Sequence, residues 1–151
     1  MNLYRMKIFA ALMMLLAFTS GCGGSSSSSQ GKRSEAVMTL SVDGVSLAVK
    51  WEDNRTVDAL RNLAPLTVEM SAYGGFEQVG SLGVSLPRDD VRITTEPGDI
   101  VLYAGNNIVM FHGSNTWEYT RLGHVTGKTK AELAEILGKP GVTLRISADG
   151  E

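Results

Sequence analysis

The stretch GDIVLYAGNNIVMFHG, residues 98–113, decides the fold. Two nearly continuous apolar runs, 100–103 and 108–111, flank Ala104, Gly105, Asn106 and Asn107. Glycine and asparagine accept turn conformations that other residues resist, so the stretch reads as a β-hairpin. Each run is short and is apolar at odd and even positions alike. That pattern predicts strands covered on both faces.

Upstream, Met38, Leu40 and Val42 alternate with Thr39 and Ser41, and Val45, Leu47, Val49 and Trp51 alternate with Ser46, Ala48 and Lys50. Asp43-Gly44 between them tolerates the positive φ of a type I′ turn, which predicts another hairpin. The period changes in TVDALRNLAP, residues 56–65, where Val57, Leu60 and Leu63 or Ala64 share a helical face. Thr56 is placed to cap this helix, Asp58 suits its first turn and Pro65 stops it. LTVEMSAY, residues 66–73, returns to alternation, with Leu66, Val68, Met70 and Ala72 on one side.

Downstream, WEYTRLGHV, residues 117–125, continues the extended pattern. In TKAELAEILGKPG, residues 129–141, Thr129 and Glu132 make a capping box and Leu133, Ile136 and Leu137 share a face. Gly138 sits at the stop and Pro140 beyond it. A last strand follows in VTLRIS, residues 142–147. The sum is seven or eight strands and two short helices over residues 36–151, with no internal repeat. Two short helices cannot cover both faces of an open sheet. The expected fold is therefore mainly β, a closed barrel of about eight strands with the helices capping its ends.

The first 35 residues are of another kind. Residues 1–21 have a basic start in Arg5 and Lys7, an apolar run over 8–18, and small residues at Thr19, Ser20 and Gly21. That is the three-part layout of a secretory signal. The run falls well short of the ~20 residues of a spanning helix. TSGC, residues 19–22, resembles the lipobox of bacterial lipoproteins, in which the cysteine is lipidated and becomes the new N-terminus. The resemblance implies a protein anchored by lipid at Cys22 in the bacterial cell envelope, on the extracytoplasmic side. Each buried CH₂ of an acyl chain is worth about 0.8 kcal/mol, so two or more chains anchor stably. GGSSSSSQGKRSE, residues 23–35, has no apolar residue and reads as a flexible spacer. The domain organisation expected is a leader at 1–21, the lipidated cysteine and linker at 22–35, and one domain at 36–151.

Cys22 is the sole cysteine, so the domain has no disulfide, thiol nucleophile or thiolate metal site. The chain has 14 basic residues, of which Arg5 and Lys7 go with the leader, against 16 acidic ones, leaving a net charge of about −4. No basic patch points to nucleic acid. His112 and His124 lack the spacing of a metal-ligand pair, and neither a phosphate-cradling glycine pattern nor a nucleophile elbow is present. No metal and no cofactor are expected. Glu52 and Asp53 read as serving the following helix N-terminus, and PRDD, residues 87–90, as a solvated loop.

YGGFEQVGSLGVSLP at 73–87, GDIVLYAGNNIVMFHGSNTW at 98–117 and YTRLGHV at 119–125 together resemble the signature blocks of bacterial cyclophilin-like domain proteins. The resemblance spans nearly all of the domain and implies a barrel related to that of the prolyl isomerases. FEQV, residues 76–79, falls where a cyclophilin has Phe-His-Arg-Val, so Phe76 and Val79 keep the apolar frame and Gln78 stands at the catalytic arginine. GDIVLYAGN resembles the strand and loop lining the cyclophilin groove, with Ala104 and Asn106 matching. LGHV, residues 122–125, resembles Phe-Gly-x-Val, and Trp117 resembles the groove tryptophan. The histidine of that pocket has no counterpart.

The resemblance thus places Tyr73, Phe76, Glu77, Gln78, Ala104, Asn106, Met110, Trp117 and Arg121 at a candidate groove. Met70, Met110 and Phe111 also read as core by their strand spacing. The glycines of 73–87 have two readings, as close-approach points for a peptide backbone or as bends that close a barrel. A neutral amide lacks the charge and fork of a guanidinium. Losing such a contact in the transition state costs on the order of 2–4 kcal/mol. The favoured expectation is a binding module for an extended or proline-containing peptide or a small ligand, without efficient catalysis. The alternative is a peptidyl-prolyl isomerase acting on extracytoplasmic proteins, with Gln78 or Arg121 polarising the amide. A third reading is an assembly piece with an exposed apolar patch.

Overall fold

Asp43 and Gly44 both take positive φ, 48° and 79°, and join β1 (Met38–Val42) to β2 (Val45–Trp51). The structure, a computed structural model, describes residues 37–149, and the expected leader, lipidation site at Cys22 and spacer lie outside them. The described residues belong to one compact unit.

After β2 come α1 (Arg55–Leu63), β3 (Leu66–Tyr73), β4 (Glu77–Ser81), β5 (Val91–Thr94), β6 (Asp99–Tyr103), β7 (Asn107–Phe111), β8 (Thr116–Thr126), α2 (Lys130–Leu137) and β9 (Gly141–Ala148). Eight strands run β2-β1-β9-β3-β4-β7-β6-β8, and β2 pairs with β8 to close the barrel. Every pairing is antiparallel. The ninth strand, β5, lies outside the ring on the first part of β8. It is one strand more than the alternation predicts, because VRIT is four residues long and mostly exposed.

Inside the ring, Leu40, Met70, Ile100, Leu102, Ile108, Met110, Leu144 and Ile146 form one apolar core with Val57 and Leu60 of α1 and Leu133 and Leu137 of α2. Gly80 belongs to this layer too. A Cβ there would collide with Val68 Cγ1 and lie 2.9 Å from Met70 Cγ, so the missing side chain is what lets β3 and β4 pack.

The helix caps divide. Thr129 and Glu132 make the expected capping box on α2, at 3.2 and 2.7 Å. The cap of α1 is Asn54, whose Oδ1 accepts from Val57 N at 2.9 Å. Thr56 lies inside that helix, fully buried, and donates to the Pro87 carbonyl at 2.7 Å. The Pro87-Asp90 segment is correspondingly tied down. Asp89 N donates to Thr120 Oγ1, which donates to Asp90 Oδ1.

Candidate functional site

A strand two residues thick in pattern and buried on both faces needs a second apolar layer, and the outer face of β4, β6, β7 and β8 has one. Val101, Val109, Phe111 and Tyr119 form a separate cluster there, with Phe76, Val79 and Ile93 against it. Four rings run in series. Phe76 stacks on Phe111 with centroids 6.5 Å apart, Phe111 meets Tyr119 edge-on at 5.7 Å, and Tyr119 meets Tyr103 edge-on at 6.1 Å.

Above this layer lies a groove of about 430 Å³, lined by Tyr73, Glu77, Val79, Tyr103, Val109, Asn115, Trp117 and Tyr119. Its size is that of a small-ligand site. Strand alternation explains the membership. Tyr73 pairs with Glu77, Val79 with Val109 and Val101 with Val109, so odd positions of β3, β4, β6 and β7 share the outer face. Tyr73 and Trp117 are 68% and 52% exposed and form the rim.

Glu77 is the unusual member. Its residue is 6% exposed, and its Oε2 is buried without a hydrogen-bond partner. Burial pushes its carboxyl up from 4.5 to about 7. Burial also raises the Tyr119 phenol, with the Glu77 and Tyr103 charges adding to the effect against the Asn115 hydrogen bond. Asn115 Nδ2 donates to the Tyr119 hydroxyl at 2.9 Å.

The profile of the cyclophilin-like family matches residues 40–147. The chain belongs to the cyclophilin-like family. A solution structure of a hypothetical protein from Archaeoglobus fulgidus is similar, with TM-score 0.56 and 15% identity over 78% of this chain and 98% of that one. At that identity the likeness concerns the fold alone. Among curated proteins none matches the chain.

Within this cyclophilin-like domain the residues singled out by resemblance separate onto different surfaces. Tyr73, Glu77 and Trp117 line the groove, and Phe76 supports it from beneath. Gln78 and Met110 do not belong to it. They pair across β4 and β7 on the inner face and are fully buried. Gln78 Nε2 donates to the carbonyls of Leu137 and Lys139 at 2.7 and 2.6 Å, tying the end of α2 to the barrel. Ala104 and Asn106 form the β6–β7 turn, outside the groove lining, with Ala104 at φ 51°.

Arg121 shares the outer face but not the groove. Its Nη1 lies 3.4 Å from Asp99 Oδ2, while Asp99 Oδ1 lies 2.8 Å from His124 Nδ1. The same Asp99 Oδ2 accepts from Glu96 N at 2.9 Å, so this carboxylate organises the turn into β6. Among the described residues no three His, Cys, Asp or Glu side chains are grouped as for a metal.

Tyr103, Tyr119 and Asn115 escaped the sequence reading. The two tyrosines carry a usable signal, since they share strand parity with Val101 and Trp117. Asn115 lies in the loop before β8, where no periodicity speaks.

Proposed function

We propose that the domain is a binding module whose outer groove holds an extended peptide or a small ligand without turning it over. One observation carries the reading: a concave, aromatic-rimmed groove has in its wall the mostly buried Glu77 carboxyl, for which no side-chain or backbone partner is found among the described residues. Buried acceptors without partners are rare and costly, so a ligand donor is the natural complement. The groove holds no guanidinium to polarise a prolyl amide, because Gln78 faces the core and Arg121 is held at Asp99. That difference weighs against the isomerase alternative.

In the same reading the domain is tethered. Cys22 would carry the lipid, and residues 23–35 would let the barrel stand off an envelope membrane on its extracytoplasmic side.

The test is an amide and indole NMR survey of the chain from Ser34 onward against a set of tripeptides and small fragments. The expected result is a cluster of shifts at Tyr73, Glu77, Trp117 and Tyr119. Shifts confined to another surface, or none, would overturn the assignment of the groove.

A further inference from the structure

The groove wall carries an acid and no base. None of its eight lining residues is Lys, Arg or His. Arg121 is engaged at Asp99 and Arg88 at Asp90, while Arg92 pairs with Glu118 across β5 and β8 and His112 follows Phe111, and neither is among the lining residues. Glu77 has a buried Oε2 without a hydrogen-bond partner and makes no salt bridge among the described residues. An unpaired carboxylate in such a place is unfavourable, and a cationic donor relieves it.

The rings around it favour the same sign. Tyr73, Tyr103, Trp117 and Tyr119 make up half of the lining. Aromatic faces attract cations and repel anions through their quadrupole. One amide donor of the site, Asn115 Nδ2, is already given to the Tyr119 hydroxyl. Val79 and Val109, paired directly across β4 and β7, add an apolar floor on which a methylene stem can lie. Acid, rings and apolar floor together describe a receptor for a positively charged head on an alkyl stem.

We propose that the groove takes an alkylammonium group, with its N–H donating to the Glu77 carboxylate among the rings of Tyr103, Trp117 and Tyr119. This rests on the reading of the groove as a binding site and names what it binds. A small amine and a lysine side chain share that chemistry, and the experiment separates them.

The chain from Ser34 onward holds the closed barrel and is titrated by NMR, following the Trp117 indole and the amides of Glu77 and Tyr119. The probes are butylammonium and N-acetyl-lysine methylamide. Their counterparts are butan-1-ol, N-acetyl-norleucine methylamide and butyrate. Each cation is expected to bind at least about tenfold more tightly than its neutral counterpart, with butyrate failing to bind. Affinity should rise about tenfold between pH 6 and pH 8 as the Glu77 carboxyl ionises. Glu77→Gln should remove the preference for charge. Trp117→Ala, a change at an exposed rim position read at the Glu77 and Tyr119 amides, should weaken both cations and keeps the test open where the Glu77 variant does not fold. Tighter binding of the lysine derivative assigns the ligand to a peptide, and tighter butylammonium assigns it to a free amine. Equal or better binding of the neutral or anionic probes at these signals would overturn the alkylammonium assignment and leave the groove as a binding site. No response to any probe would overturn both.

Discussion

Glu77 and Gln78 are neighbours in the chain and stand on opposite sides of the barrel wall. Both are buried, at 6% and 0% exposure. Each has one buried oxygen without a partner, but Glu77 lines the outer groove, while Gln78 directs its amide N–H groups to the end of α2. Gln78, which the family resemblance matches to the cyclophilin arginine, is a structural tie.

Gln78→Ala should therefore lower stability by about 2–4 kcal/mol, through two orphaned carbonyls and a cavity. Denaturant unfolding reads the change. Gln78→Arg should be destabilising too and should confer no isomerase activity, because the longer cationic side chain enters the apolar core.

Glu77→Gln should stabilise the empty domain. The folded carboxyl is raised to about 7 against 4.5 when unfolded, so the folded state binds more protons between those values. Stability then falls as pH rises through that window and levels off above it. The variant should gain about 1–3 kcal/mol at pH 8 and little at pH 4, as read by thermal or urea unfolding. Equal gains at both pH values would show that burial of charge is not the cause.

Gly80→Val should cost about 1–3 kcal/mol by overpacking against Val68 and Met70. Gly44, whose added Cβ meets nothing within 4 Å, separates the two kinds of glycine effect. Gly44→Ala should be penalised only through its φ of 79°. Chevron or equilibrium unfolding of the two variants makes the comparison.

Asn54→Ala should cost about 1–2 kcal/mol. The side chain caps α1 at Val57 N, and its Nδ2 donates to the Arg121 carbonyl of β8 at 2.9 Å. Thr56→Val should also destabilise, by removing the bond to Pro87 O rather than a cap. Helix content by circular dichroism near the unfolding midpoint should fall earlier for Asn54→Ala than for Thr56→Val.

Local chemistry made the hairpins and the α2 cap legible, because Asp43-Gly44 and Thr129/Glu132 act within a few residues. β5 was not legible, since Val91, Arg92 and Thr94 are exposed and only its pairing to β8 makes it a strand. Barrel closure through β2 and β8 is a contact between distant segments that no local pattern encodes. At the site, Tyr73, Glu77 and Trp117 were reachable through family resemblance. That resemblance also carried Gln78 and Met110 toward the groove, whereas strict alternation from Glu77 assigns them to the core. Placing Tyr119 beside Tyr103 needs the register of β8, and that register slips at Ile100/Val101.

A groove lined by a carboxyl and by no guanidinium should bind without catalysing prolyl rotation. The most direct test is the cis-to-trans rate of a Xaa-Pro-Phe reporter peptide at 10 °C, with and without the chain from Ser34 onward. Uncatalysed rotation takes minutes there, so modest catalysis is visible. The expected result is an unchanged rate even at high protein concentration. A clear acceleration that disappears in Glu77→Gln or Trp117→Ala would contradict this and make the groove an isomerase site.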